Sequence, residues 1–286
     1  MNYVLTLLSV CLETAKNIFC NHFSKNTVTE QGDIFKFNSF LYLGAGAVLL
    51  PVAGRLVVSP FSFWLAVLFA FITVLSQICY MQALRYGSMA YSTFFSGCGM
   101  LLPIACGILF WGEKIYLNQM AALPLLILSM LLSLVGQRSK PSVKWLLYSF
   151  LTLLFTGGIG IVQSIHQASE YREELNGFLV ISFFFMVALN GLFYLLCPKG
   201  SRPSPYRVKS GVTVTAVISG GMIGIVNSLN LYLAGVMPKV IFFPLVNGGL
   251  IFASLLAAVI LFRERLSKKQ WAGICLGIFS LCLLSL

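Results

Sequence analysis

Three side chains that could carry chemistry share one face of the first apolar segment. Lys16 and Asn17 follow Glu13 by three and four residues, a spacing that places all three side by side on a helix. Glu13 could exchange a proton or bind a cation, Lys16 could bind a substrate carboxylate, or the two charges could neutralise each other and brace the helix. Acids within apolar segments are functional by default, so we expect a functional Glu13, with the structural pair as the open alternative.

Polar side chains form matching stripes in two later apolar segments. Gln77 and Tyr80 lie near Ser76 on one helix face, and Asn227 and Asn230 occupy the corresponding depth in the second half of the chain. We expect both stripes to face a common binding cavity, although hydrogen bonding between helices would also explain them. The same reasoning adds five further candidates to this site, namely Tyr91, Ser96, Gln163, His166 and Asn247.

The composition places these residues in a membrane. Of the 286 residues, 58% are apolar and only 9% are charged, whereas soluble domains carry about 25% charged residues. The net charge of +11 lies in short loops, so nucleic acid is not an expected partner. The sequence contains no phosphate-binding loop and no cluster with metal-ligand spacing, so we expect neither an enzyme nor a cofactor.

The apolar runs predict an all-α polytopic protein with ten transmembrane helices, each about 20 residues long. The predicted domains are residues 1–136, a polar linker at 137–142, and residues 143–286. The predicted spans are Tyr3–Phe23, Phe37–Val57, Phe63–Tyr86, Met89–Trp111, Leu117–Gly136, Val143–Gln167, Asn176–Cys197, Gly211–Gly235, Val240–Phe262 and Gln270–Leu286.

The two halves of the chain repeat each other. Residues 83–134 align with residues 234–285 without gaps, so that Glu113 falls on Glu264. Five spans per half make the second repeat inverted, an architecture typical of secondary transporters that bind substrate between their halves. We expect Glu113 and Glu264 to form structural ion pairs with neighbouring basic residues at span ends. Four residues of the fourth and ninth spans are candidate hinges, namely Pro103, Pro244, Gly97 and Gly248.

Basic residues predict the orientation in the membrane, because the cytoplasmic side carries the excess of lysine and arginine. The ten spans place fourteen basic residues on one side and four on the other, which puts both termini outside the cytoplasm. The fourteen are Lys25, Lys36, Arg85, Arg138, Lys140, Lys144, Lys199, Arg202, Arg207, Lys209, Arg263, Arg265, Lys268 and Lys269; the four are Arg55, Lys114, Arg172 and Lys239.

The segments "LFWGEKIYLNQMAALPLLILSMLL" and "LFRERLSKKQWAGICLGIFSLCLL" resemble the closing helices of the ten-span EamA-like family in the drug/metabolite transporter superfamily. The first span, "LSVCLETAKNIFCNHFSK", also resembles that of the small multidrug resistance proteins, in which a glutamate matching Glu13 binds protons and cationic substrates. Two departures stand out: Lys16 follows one turn later, and the sixth span has no acid at the equivalent place. The family resemblance implies a cavity lined by spans 1, 3, 4, 6, 8 and 9.

These observations predict a secondary transporter of a small polar, amino acid-like metabolite in the cytoplasmic membrane of a bacterial-type cell. It would work by alternating access, and protons are the candidate coupling ions. We expect it to contact membrane lipids and to be a monomer or a homodimer. A proton/organic-cation antiporter of the multidrug type is the alternative within transport. A non-transporting membrane interaction protein is the alternative of another class.

Overall fold

A computed structural model describes the chain except residues 52, 54, 55, 88, 135–141, 199–209, 263–266 and 286. The described residues form eleven α-helices and one short 3₁₀ helix at Arg172–Glu174, with no β-strand among them. The α-helices are α1 (Asn2–Asn26), α2 (Gln31–Leu49), α3 (Pro60–Tyr86), α4 (Met89–Cys98), α5 (Leu101–Trp111), α6 (Leu117–Leu134), α7 (Val143–Ala168), α8 (Leu175–Leu196), α9 (Ser210–Val236), α10 (Lys239–Phe262) and α11 (Lys268–Ser285).

Six helical stretches within the described residues are long and apolar enough to cross a membrane, which makes the chain a multi-pass membrane protein. They are Asn2–Asn26, Pro60–Tyr86, Ser92–Trp111, Val143–Ala168, Arg172–Leu196 and Gly211–Val236. Two shorter apolar stretches, Leu117–Ser129 and Lys239–Ser254, lie in α6 and α10. The helix α2 is less apolar, because its first half carries Asp33, Lys36 and Asn38.

The bounds of α2 differ from the predicted second span at both ends. The Asp33 carboxylate accepts the backbone N–H groups of Thr29 at 2.9 Å and Glu30 at 3.0 Å, which fixes the start of the helix. This polar cap starts α2 six residues before the predicted Phe37. The helix ends at Leu49, short of the predicted Val57, because Pro51 has no backbone N–H to continue the hydrogen bonds of the helix.

The predicted fourth span is two helices rather than one. Between α4 and α5, the N–H groups of Gly99 and Met100 bond back three residues instead of four, to Ser96 and Gly97. Pro103 lacks the N–H that would bond to Gly99, which explains why the regular helix is interrupted here. By contrast, Pro244 lies within the unbroken helix α10, so the two candidate hinges differ in local structure.

The helices of the two halves pack across a shared interface. The helix α2 packs against α8 and α9, α3 against α7 and α8, and α1 against α9 and α10. Helices α4 and α5 pack against α7 and α10, while α6 packs against α11. All of these contacts join helices of different halves, so any cavity at the centre is built by both halves.

Two of these contacts are made by different kinds of residue. At the α2–α9 crossing, a Cβ atom on Gly220 would overlap the backbone carbonyl oxygen of Leu41, and one on Gly44 would overlap that of Val217. Small residues of this kind let membrane helices approach closely. At the α3–α8 contact, the rings of Phe69 and Phe178 fill the space, with centroids 5.3 Å apart.

Candidate functional site

A cavity of about 150 Å³ lies among α1, α3, the α4–α5 segment, α7, α9 and α10. These are the six elements that correspond to the predicted lining spans 1, 3, 4, 6, 8 and 9. Ten of the twelve side chains predicted for the site line it, namely Glu13, Lys16, Asn17, Gln77, Tyr80, Ser96, Gln163, Asn227, Asn230 and Asn247. Pro103 also borders the cavity, together with apolar residues that include Phe242 and Phe243.

The charged part of the cavity is a buried ion pair on α1. The Nζ atom of Lys16 lies 2.6 Å from Oε1 of Glu13, and the lysine side chain is only 4% exposed. The same Nζ atom lies 5.8 Å from the ring centroid of Tyr80, within range of a cation–π interaction. The Tyr80 hydroxyl is hydrogen bonded to Thr93 at 3.0 Å. The cavity therefore presents a negative and a positive group side by side on one wall.

The amide side chains of the cavity make different kinds of hydrogen bond. The Nδ2 groups of Asn227 and Asn247 donate at 2.9 Å to carbonyls one turn earlier in their own helices. By contrast, Asn230 Oδ1 accepts from Ser9 Oγ at 2.6 Å, which links α9 to α1. Hydrogen bonding between helices therefore accounts for Asn230 but does not explain why Asn227 and Asn247 face the cavity.

Thr156, a cavity residue outside the predicted set, connects three helices. Its hydroxyl lies 3.1 Å from Ser76 Oγ on α3 and 3.2 Å from Ser96 Oγ on α4, so α7 is joined to both. The signal for this residue was present in the sequence. Thr156 precedes Gln163 by two helical turns, which places both on the same face of α7.

His166 does not join the cavity residues, contrary to the prediction. It is buried near the C-terminal end of α7. Its ring centroid lies 4.3 Å from that of Phe178, and its Nε2 lies 3.4 Å from Ser62 Oγ. The residue therefore packs α7 against α3 and α8. The side chain of Tyr91, the remaining predicted member, lies outside the described residues.

The candidate hinge residues lie at close helix contacts. A Cβ atom on Gly97 would approach the Ile251 side chain of α10, and one on Gly99 would come within 2.7 Å of the Leu153 carbonyl oxygen of α7. Gly248 is buried within α10, four residues after Pro244. Close packing explains Gly97 and Gly99, and the helix interruption before Pro103 is the local feature that would permit bending.

Glu113 lies away from the cavity lining and has a partner that the sequence pattern does not identify. Its Oε1 is 2.7 Å from Lys239 Nζ, and its Oε2 accepts the backbone N–H groups of Lys239 at 2.9 Å and Val240 at 3.4 Å. The repeat-related Glu264 and its basic neighbours lie outside the described residues. An ion pair at the span end was expected for Glu113, but the observed pair joins the two halves.

Comparison with known proteins gives a family-model match within the first half of the chain and a similar fold over almost all of it. Residues 17–135 match the EamA-like transporter family. A solved structure titled only "Crystal structure of protein" superposes with a TM-score of 0.74 at 14% sequence identity, covering 99% of this chain and 95% of that chain. No curated protein matches the chain in sequence. The fold is therefore shared with a known structure over almost the whole length.

Proposed function

We propose that the chain is a secondary transporter of a small polar metabolite, a function supported by the match of residues 17–135 to the EamA-like transporter family. It would work by alternating access across the cytoplasmic membrane. The observation that carries this proposal is the polar cavity, which is built by helices of both halves and contains a buried ion pair. A site between two halves can be exposed to either side when the halves move relative to each other.

The helix contacts support ten spans arranged as two inverted repeats, with α4 and α5 together forming the fourth span. Under such a repeat, each helix of the first half has a counterpart five spans later. The α2–α9 contact then corresponds to the α8–α3 contact, and the contact of α1 with α10 corresponds to that of α7 with α4 and α5. Both members of each pair are present, as a two-fold axis between the halves requires.

The charges and the volume of the cavity favour an amino acid-like substrate. Glu13 can bind a substrate ammonium and Lys16 a substrate carboxylate, so the pair suits a zwitterion. The volume of about 150 Å³ lies well below the roughly 300–1,000 Å³ of pockets for drug-sized ligands. A bulky organic cation would need a wider cavity. The multidrug-type alternative is therefore disfavoured.

Proton coupling is the part of the proposal that depends on Glu13 alone. Among the described lining residues, Glu13 is the one carboxylic acid. Its side chain is 20% exposed, so a proton could reach it from the cavity. We propose that Glu13 exchanges this proton during the transport cycle, while Lys16 holds the carboxylate in place.

The first experiment is a thermal-shift screen of purified protein against amino acids, related zwitterions and quaternary ammonium compounds. A ligand that binds only the native state must stabilise it. Hits are then tested for uptake into proteoliposomes, with and without an imposed pH gradient. Accumulation of a zwitterion supports the proposal. Binding of quaternary ammonium compounds alone would favour the antiporter, and ligand binding without any flux would favour an interaction protein.

A further inference from the structure

Three amide side chains on the cavity wall have hydrogen-bonding atoms that no described residue satisfies. Gln163 on α7 makes no hydrogen bond within the described part of the chain, although its side chain is only 4% exposed. Asn227 on α9 and Asn247 on α10 each use Nδ2 for a bond to their own helix, which leaves each Oδ1 without a donor among the described residues. We call these three residues the amide wall.

The orientation of the two asparagines is fixed by their own helices. Because a backbone carbonyl can only accept, the amide nitrogen must face Ile223 O in Asn227 and Phe243 O in Asn247. Both amide oxygens remain accessible from the cavity. Asn190 on α8 shows the contrast: its Nδ2 donates in the same way to a carbonyl one turn earlier, but its oxygen is buried and it lies outside the cavity lining.

Contacts with α1 place the two asparagines at nearly the same level of the cavity. The hydrogen bond from Ser9 reaches α9 three residues after Asn227. Val10 meets α10 at Gly249, two residues after Asn247, where an added Cβ atom would lie 3.2 Å from a valine methyl group. Because Ser9 and Val10 are neighbours on α1, the two asparagines lie within about one helical turn, about 6 Å, of each other along the cavity.

The amide wall lies next to the charged pair. Glu13 follows Ser9 by one turn of α1, so the two features line successive levels of one cavity. A substrate that binds the pair with its ammonium and carboxylate groups would place its side chain against the amide wall. An apolar side chain there would leave buried amide atoms without partners, which is costly.

The charges of the cavity restrict the side chain further. Glu13 is the one carboxylic acid among the described lining residues, and Lys16 already pairs with it. A second positive charge on the substrate would therefore be buried without a counter-ion. The free Oδ1 atoms of Asn227 and Asn247 require a hydrogen-bond donor, so the group that fits them is a neutral donor.

We propose that the amide wall determines substrate specificity by selecting a zwitterion whose side chain carries a neutral hydrogen-bond donor, a hydroxyl or a carboxamide. The two asparagine oxygens accept from this group, and Gln163 donates to its oxygen from the amide nitrogen. The inference rests on the proposed transport function for the zwitterion, and adds to it the class of side chain and the residues that select it.

The test compares free amino acids of similar shape that differ in the donor group. The cavity also has apolar lining residues, including Phe242 and Phe243, so the apolar member of each pair is the competing ligand. Binding of threonine against valine, and of asparagine against leucine, is measured by isothermal titration calorimetry on purified wild-type protein. The polar member should bind at least about tenfold more tightly, because the apolar member leaves the amides unpaired. Lysine, with a second positive charge, should bind as weakly as leucine.

Two variants assign this preference to the amide wall. Asn227→Leu and Asn247→Leu keep the size of the side chain and should each reduce the polar-to-apolar preference to about threefold or less. Asn190→Leu is the matched control, because it removes an amide with the same local hydrogen bond outside the cavity. This control should keep the wild-type preference. Unfolding temperatures without ligand show whether each variant is folded, and the wild-type comparison stands without them.

The outcomes separate this inference from the proposed function. Equal binding of both members of each pair by the wild type would overturn the inference, as would an equal loss of preference in Asn190→Leu. Zwitterions that bind and enter proteoliposomes without any side-chain preference would refute the amide wall and leave the transport function standing. If no zwitterion binds and none is transported, both proposals are wrong.

Discussion

Glu113 and Lys239 join the two halves of the protein through three contacts of one carboxylate. The Lys239 Nζ atom lies 2.7 Å from Oε1, and the backbone N–H groups of Lys239 and Val240 donate to Oε2. The ammonium also lies 4.9 Å from the ring centroid of Trp111. An acid just after α5 in the first half therefore caps the first turn of α10 in the second half, where the helix dipole favours negative charge.

Replacing Glu113 should destabilise the protein according to how many of these interactions each variant removes. Glu113→Ala removes both the ion pair and the cap, and should cost about 3 kcal/mol of unfolding free energy. Glu113→Gln keeps an oxygen for the backbone N–H groups and should cost about half as much. Thermal unfolding of purified protein provides the measurement. The neighbouring Lys114→Gln is the control, because Lys114 is exposed; equal destabilisation by this change would contradict the assignment.

Because α2 and α9 approach closely at Gly220, we expect substitution of this residue to destabilise the protein strongly. A methyl group there would overlap the carbonyl oxygen of Leu41, which is backbone and cannot rotate away. Gly220→Ala should therefore cost about 1–3 kcal/mol through overpacking. Gly191→Ala on α8 is the matched control, since no atom lies within 4 Å of the added Cβ. That change should be neutral or slightly stabilising, because alanine favours the helix. Similar unfolding temperatures for both variants would argue against the tight crossing.

The Thr156 hydroxyl should matter for the shape of the cavity as well as for stability. Thr156→Val removes the hydrogen bonds to Ser76 and Ser96 at nearly constant volume, and the loss of each should cost about 0.5–1.5 kcal/mol. We expect weaker binding of the transported substrate, measured as a smaller thermal shift at fixed concentration. Thr152→Val, one turn earlier, is the control because the Thr152 hydroxyl donates to its own helix at Tyr148. A normal substrate shift in Thr156→Val would contradict the role of Thr156 in shaping the site.

Local sequence patterns predicted that spans 1, 3 and 8 line the cavity, whereas the full set of six lining spans was implied by the family resemblance. Apolar runs with isolated amides and charges have a clear meaning in a membrane, because each buried polar group needs a partner or a cavity. Glu13, Gln77 and Asn227 were found in this way, and all three line the cavity. The start of α2 could also have been predicted from the sequence, because Asp33 follows Glu30 at the spacing of a capping box.

Contacts between residues that are far apart in the sequence could not be predicted from the sequence. His166 was assigned to the cavity from its span, yet its depth and helix face place it against Phe178. The partner of Glu113 is Lys239, which lies 126 residues away in the sequence. The basic residues next to Glu113 in the sequence therefore do not identify its ion-pair partner. The two candidate hinge prolines also differ, because the repeat alignment places Pro103 on Ser254 and Pro244 on Thr93, so they occupy different places in the two repeats.

The Glu13–Lys16 pair allows a structural role and a substrate-binding role to be separated by a double-mutant cycle. Glu13→Gln or Lys16→Met alone leaves one buried charge without its partner, which should cost about 3–5 kcal/mol of unfolding free energy. The double variant removes both charges and should recover most of that loss. A pair that only braces α1 therefore predicts that the double variant is both stable and active in transport.

We expect instead that the double variant is stable and inactive, because a zwitterionic substrate would lose the partners of both its charged groups. Uptake into proteoliposomes and thermal unfolding are measured on the same preparations, so that loss of fold and loss of function are read separately. Thr14 on α1, whose hydroxyl donates to the Val10 carbonyl oxygen of its own helix, supplies the control: Thr14→Val should reduce stability by about 1 kcal/mol and preserve transport. If the stable double variant accumulates substrate at the wild-type rate, the ion pair does not bind the substrate and Glu13 does not carry the coupled proton.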